Sequence, residues 1–64
     1  MVEYLSAAYG YGSNCYRIQR LEELDTVLIW LHQNDVDHWM ISSGSNGYVI
    51  QLRSDPTLFN LRWI

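Results

Sequence analysis

Apolar residues recur every three or four positions between Leu21 and Gln33, the spacing that places one stripe on the face of an α-helix. The members of this stripe are Leu21, Leu24, Val27, Leu28 and Leu31. Carboxylates at Glu22, Glu23 and Asp25 stand near the start of the segment, where the positive end of the helix dipole favours them. The pattern predicts one amphipathic helix over residues 21–33, and the rest of the chain must pack on its stripe.

Two segments before this helix alternate apolar and polar residues in the manner of β-strands. Residues 2–9 predict a first strand and residues 15–20 predict a second. The loop between them contains Gly10, Gly12 and Asn14, which are typical of chain reversals. We therefore expect these two strands to form an antiparallel hairpin.

Residues 38–43 and 48–53 predict a second hairpin, because the Asn46-Gly47 pair between them is the strongest short turn signal in the chain. Asn-Gly suits a type I′ turn, which needs a positive φ at both central positions. This turn would pair Ser43 with Ile50. The residues that it places on the helix side of the sheet are Trp39, Ile41, Tyr48, Ile50 and Leu52.

The order of elements is ββαββ, which predicts an α+β fold with a four-stranded antiparallel sheet and one amphipathic helix on one face. After Asp55 and Pro56 we expect a short C-terminal turn or strand, with a helical turn over residues 56–60 preferred. A chain of 64 residues should form a single domain, residues 1–64, with one small core. The predicted core residues are Tyr4, Tyr16, Ile18, Leu21, Leu24, Val27, Leu28, Leu31, Trp39, Ile41, Ile50 and Leu52.

Charge is distributed unevenly along the chain, whose formal net charge is -3. There is no lysine, and no arginine occurs between Leu21 and Leu52, although five carboxylates lie there. Such a segment is either an ordinary solvated helix face or an acidic surface that docks on a basic partner. For the second interpretation, the predicted partner-binding residues are Glu22, Glu23, Asp25, Ile29 and Trp30.

The sheet face opposite the predicted helix provides a second candidate surface. Leu5, Tyr9, Met40 and Val49 should project from it together, and a purely solvated face rarely carries four such residues. They are either scattered exposed residues or a patch that meets a second copy or another partner. A homodimer through this face is therefore an expectation.

Residues suited to catalysis or metal binding are present, but no motif brings them together. Cys15, His32 and His38 supply the types for a thiolate and its base without a local arrangement. Gly10 and Gly12 lack the third glycine of a dinucleotide loop. The histidines, with two aspartates between them, lack the spacing of a zinc site. We expect no enzyme activity, no cofactor and no metal.

Cys15 is the only cysteine, which excludes a disulfide within the chain and favours a reducing compartment such as the cytoplasm. The longest apolar run, residues 27–31, is far too short for a signal core or a membrane span. We therefore expect a cytoplasmic protein with no membrane association.

The function predicted from these features is a small acidic protein–protein interaction module, an inhibitor or adaptor of a larger host or cellular protein. Small acidic chains of this size are typical of phage or mobile-element regulators. The alternative is a single-stranded nucleic-acid-binding protein that uses tyrosines with Arg17 and Arg53 on one sheet face. The balance of four basic against seven acidic residues makes nucleic acid the weaker prediction.

Overall fold

The computed structural model describes residues 1–5, 10 and 12–64, and within them it contains four strands and two helices. The strands are β1 (Val2–Leu5), β2 (Cys15–Ile18), β3 (His38–Gly44) and β4 (Gly47–Leu52). The helices are α1 (Leu21–Gln33) and α2 (Thr57–Trp63). The α+β class and the ββαββ order are confirmed, whereas residues 6–9 of the predicted first strand lie outside the described residues.

The four strands form one antiparallel sheet in the order β1-β2-β4-β3. β2 and β4 are therefore the central strands, and β1 and β3 are the edges. Tyr16 pairs with Tyr4 on one side and with Ile50 on the other, so these three side chains share a face. Both helices pack on this face, and the main core lies between them and the sheet.

α1 begins and ends where its apolar pattern predicts, and it buries the centre of the stripe. Leu24, Val27 and Leu31 are buried against the sheet, and Leu28 is half-buried at the margin of the core. Leu21, which we predicted in the core, is 63% exposed. At 100° per residue it stands at one edge of the stripe and also in the first turn, where the sheet no longer reaches it.

The turn between β3 and β4 differs from the predicted Asn46-Gly47 turn. Gly44 pairs with Gly47, so the two-residue loop consists of Ser45 and Asn46. Gly47 has a φ of 101°, whereas Asn46 is not among the described residues with positive φ, so the turn is not type I′. A Cβ at Gly47 would lie 3.0 Å from the carbonyl oxygen of Ile18, so this close approach to the chain just after β2 favours glycine.

A β-bulge in β3 reverses the predicted orientation of its first half. The register shifts between Met40 and Ser42, so Met40 pairs with Ile50 and Trp39 pairs with Gln51. Met40 therefore lies on the helix side of the sheet and Trp39 on the other. The prediction of Trp39 and Ile41 as core residues is wrong, since both are exposed. Tyr4, another predicted core residue, is also exposed at the margin of β1.

The C-terminal segment forms a helix that is longer than the predicted turn and covers part of the core. Phe59 is fully buried, and its ring lies 4.5 Å from that of Tyr16 and 6.0 Å from that of Trp30. The hydroxyl of Tyr16 donates a hydrogen bond of 2.5 Å to the side-chain oxygen of Asn60. Burial raises the pKa of Tyr16.

The sheet side opposite the helices has a smaller buried cluster of Leu5, Cys15 and Val49. None of the three is more than marginally exposed. Beside this cluster, the side-chain nitrogen of Gln51 donates to the carbonyl oxygen of Ser13 at 2.9 Å. This hydrogen bond ties the chain before β2 to the same side of the sheet.

Candidate interaction surfaces

The outward side of α1 brings together three of the five predicted partner-binding residues. Glu22, Asp25 and Ile29 are all exposed, and Ile29 has an exposed fraction of 52%. On a helix of 3.6 residues per turn, both acidic residues lie within about 40° of Ile29. An exposed aliphatic side chain therefore shares one face of α1 with two carboxylates.

The other two predicted partner-binding residues are engaged within the chain. The carboxylate of Glu23 accepts a hydrogen bond from the amino group of Met1. The Trp30 ring lies edge-on to Phe59 and Trp63, with centroids 6.0 and 6.2 Å away. Trp30 thus holds α2 against α1, and whether it also contacts a partner stays a prediction.

A groove runs along the flank of α1 that points away from α2. It is lined by Leu21, Glu22, Leu24, Asp25 and Leu28, and we call it the acidic groove; its volume is about 480 Å³. The leucines supply an apolar wall, and the two carboxylates stand beside it. The sequence pattern missed the groove because it assigned Leu21 and Leu28 to the centre of the core rather than to its margin.

The only basic side chain that contacts this groove in the described part of the chain is Arg20. Its Nε lies 3.5 Å from a carboxylate oxygen of Glu22, and the two side chains are 74% and 77% exposed. An exposed ion pair of this kind contributes little to stability and exchanges readily with solvent or another cation. The carboxylates of the acidic groove therefore remain accessible to a cationic partner.

A second exposed surface lies on the outer side of α2. Leu58, Leu61 and Ile64 recur at three-residue spacing there, and Tyr4 of β1 borders the same groove as Leu61 and Ile64. We call these four residues the outer α2 face. Leu61 is 81% and Ile64 is 63% exposed. Tyr4, Leu61 and Ile64 border a groove of about 650 Å³ whose lining includes no charged side chain. We predicted a turn or strand here and thus missed this helical surface.

The predicted patch on the opposite sheet face is wrong in its composition. Leu5 and Val49 are buried within the chain, and Met40 lies on the helix side because of the bulge. Tyr9 lies outside the described residues. Self-association remains a prediction, but Leu5 and Val49 do not line an accessible surface.

The arginines and the tyrosines of the proposed nucleic-acid platform lie on different sides of the sheet. The described strand tyrosines, Tyr4, Tyr16 and Tyr48, are on the helix side. On the other side, Arg17 contacts Glu3 at 3.6 Å, and Arg53 lies 5.1 Å from the centre of the Trp39 ring. The described residues therefore do not form a joint tyrosine and arginine surface.

Of the residues weighed for catalysis and metal binding, the two histidines border one pocket in the described part of the chain, and Cys15 is not among the residues that line it. Cys15 is fully buried, and burial raises the pKa of its thiol, which disfavours the nucleophilic thiolate. His32 and His38 border one shallow pocket at the end of α1, with Asp35 and Asp37. Among the described residues, no group of three or more His, Cys, Asp or Glu side chains could hold a metal ion.

In the described residues, neither helix has the length and apolar character that a membrane crossing requires. No protein-family model, curated protein sequence or solved structure matches this chain.

Proposed function

We propose that this chain is a protein-binding module that docks through the acidic groove and Ile29 on a basic segment of a larger protein. The observation that carries the proposal is the juxtaposition of exposed Leu21 and Ile29 with the carboxylates of Glu22 and Asp25. A module of this kind would act as an inhibitor or adaptor in a reducing compartment such as the cytoplasm. The partner chemistry is an amphipathic segment with leucine-like side chains and flanking Lys or Arg.

The apolar and charged parts of this surface suit different steps of binding. Complementary charge increases the rate of encounter, whereas apolar side chains that lose contact with water slow dissociation. Leu21 and Leu28 form the accessible wall of the groove, and Leu24 is buried behind them. A partner side chain could therefore enter the groove while its cationic neighbours meet Glu22 and Asp25.

The charge distribution favours a basic protein segment over nucleic acid for this surface. Phosphates would be repelled by the carboxylates of Glu22 and Asp25, and the sequence supplies no Lys or Arg from Leu21 to Leu52 to offset them. The contact on the other side of the sheet, Arg53 over Trp39, is a single cation–π pair. The nucleic-acid alternative thus has less support than protein docking.

The test is a titration of the labelled protein with a synthetic amphipathic peptide of leucine and lysine, followed by amide chemical shifts in NMR spectra. The control peptide has the same pattern with glutamate in place of lysine. We expect the lysine peptide to shift residues 21–29 and the glutamate peptide to leave them unchanged. Equal responses to both peptides, or shifts confined to β3 and β4, would contradict the proposal.

Two matched variants then distinguish binding at the acidic groove from a general effect of the negative charge of the chain. Asp25→Lys and Asp37→Lys change the net charge equally, and both positions are exposed, but only Asp25 lines the acidic groove. Asp25→Lys should slow association with the lysine peptide about tenfold at low salt, within the range of electrostatic steering, and Asp37→Lys should have a much smaller effect. Stopped-flow or surface-binding kinetics at two salt concentrations would measure this difference.

A further inference from the structure

We infer that the outer α2 face is the interface of a symmetric dimer, in which α2 of one copy packs antiparallel to α2 of a second copy. This surface is separate from the acidic groove, because α2 lies against Trp30 and the groove lies on the opposite flank of α1. The dimer would thus leave the proposed partner site accessible. Its residues also differ from the open sheet face for which the sequence predicted self-association.

Apolar side chains lie on both the inner and the outer side of α2. Phe59 and Trp63 face the core, yet Leu58, Leu61 and Ile64 occupy the side that faces solvent. Surface helices normally carry polar residues on that side. On α2 the exposed side has Thr57, Asn60 and Arg62 as well, so its apolar part is a stripe of three residues that a second packing partner could cover.

The charges near the outer α2 face favour a second copy of the chain as its binding partner. The groove beside the outer α2 face is lined by no charged side chain, so two copies of a chain with net charge -3 can meet there without opposing carboxylate side chains. Asp55 precedes α2, and Arg62 lies in its last turn with its guanidinium 4.1 Å from the centre of the Trp63 ring. An antiparallel arrangement brings Asp55 of each copy toward Arg62 of the other, and these charges are complementary.

The surface area that a dimer interface requires can be compared with the total surface of this chain. A standard protein interface removes about 800 Å² of surface from each partner, which is about a fifth of the 4270 Å² of this chain. Because a two-fold interface uses the same patch on both copies, each copy must supply this area from the outer α2 face and the residues around it. The groove beside Tyr4, with a volume of about 650 Å³, can receive side chains from the second copy.

The experiment measures the mass of the intact chain by sedimentation equilibrium over a range of protein concentrations. We expect the wild type to approach twice its monomer mass of 7.6 kDa. Leu61→Glu should return it to monomer at the same concentrations. Because Leu61 is 81% exposed, the folded monomer should keep its circular dichroism spectrum. Leu21→Glu is the matched control, since Leu21 is an exposed leucine outside this face.

Charge complementation identifies the interface itself. Leu61→Glu and Leu61→Lys should each be monomeric, and an equimolar mixture of the two should recover the dimer if the Leu61 side chains of the two copies lie close together. A monomeric wild type at every concentration would overturn the inference and leave the face to a foreign partner. A dimer that persists in Leu61→Glu, or is lost equally in Leu21→Glu, would overturn it as well.

Discussion

Single residues determine where α2 begins and which way the side chains of the edge strand β3 point. Asp55 accepts hydrogen bonds from the hydroxyl of Thr57 at 2.7 Å and from its backbone N–H at 3.0 Å. These bonds satisfy a donor that would otherwise be unpaired at the helix start. Ile41 is equally decisive, because its place in the bulge turns Trp39 away from the core. Each effect depends on one position and its immediate neighbours.

The stabilisation that Asp55 provides at the start of α2 should depend on pH. The hydrogen bonds from Thr57 lower the pKa of Asp55 below that of the unfolded chain. The carboxylate therefore stabilises the fold above the ordinary aspartate pKa of about 3.9, and this contribution is lost as the pH falls through the lower folded value. Asp55→Asn keeps an acceptor without a titrating group. Urea unfolding should show a wild-type advantage at neutral pH that disappears in acid, and a difference independent of pH would contradict the assignment.

At the scale of elements, α1 is a helix with a buried centre and one accessible flank. Leu31 is fully buried, whereas Leu21 is 63% exposed although both belong to the same apolar stripe. α2 covers the flank that carries Trp30 and leaves the other flank open, which creates the acidic groove. The position of the second helix thus decides which apolar residues of the first are core and which are surface.

Truncation of Leu31 should lower the free energy of unfolding much more than truncation of Leu21. Leu31→Ala removes buried methyl groups and leaves a cavity, so the free energy of unfolding should fall by about 2 to 5 kcal/mol. Leu21→Ala changes an exposed side chain and should alter it by about 0.5 kcal/mol or less. Urea unfolding of both variants would measure the difference. Similar losses at the two positions would show that α1 is rotated relative to the arrangement described here.

The described residues as a whole form a small core and two separate candidate interaction surfaces. The main core lies between the sheet and both helices, and a second cluster of three residues lies on the other side of the sheet. A domain of this length buries a modest fraction of its surface and often gains stability from association. The proposed dimer through the outer α2 face would provide such support, and it would leave the acidic groove free for a different partner.

Dimer formation through α2 should link stability to protein concentration. Because a second copy binds the folded chain and not the unfolded one, the melting temperature of the wild type should rise with concentration. The melting temperature of Leu61→Glu should stay constant. Differential scanning calorimetry at several concentrations measures both, and a constant wild-type value would count against a dimer in that range.

The sequence alone predicts the four strands and α1 in their observed order, but only a short turn or strand in place of α2. The 3.6-residue period of α1 gave its bounds, and the alternating segments with the glycine-containing turn gave the second hairpin. The lack of lysine and the carboxylates of Glu22 and Asp25 also predicted the acidic side of α1. These features are local, because period, turn composition and charge position are properties of neighbouring residues.

Which apolar residues are buried depends on how the elements pack together. The bulge at Ile41 sets the face of Trp39, and the docking of α2 engages Trp30 and buries Phe59. A local pattern does not record which element covers a given side chain, since that depends on contacts between segments far apart in sequence. For the same reason the outer α2 face was not predicted. It forms only when α2 packs with Phe59 toward the core, which leaves Leu61 on the side that faces solvent.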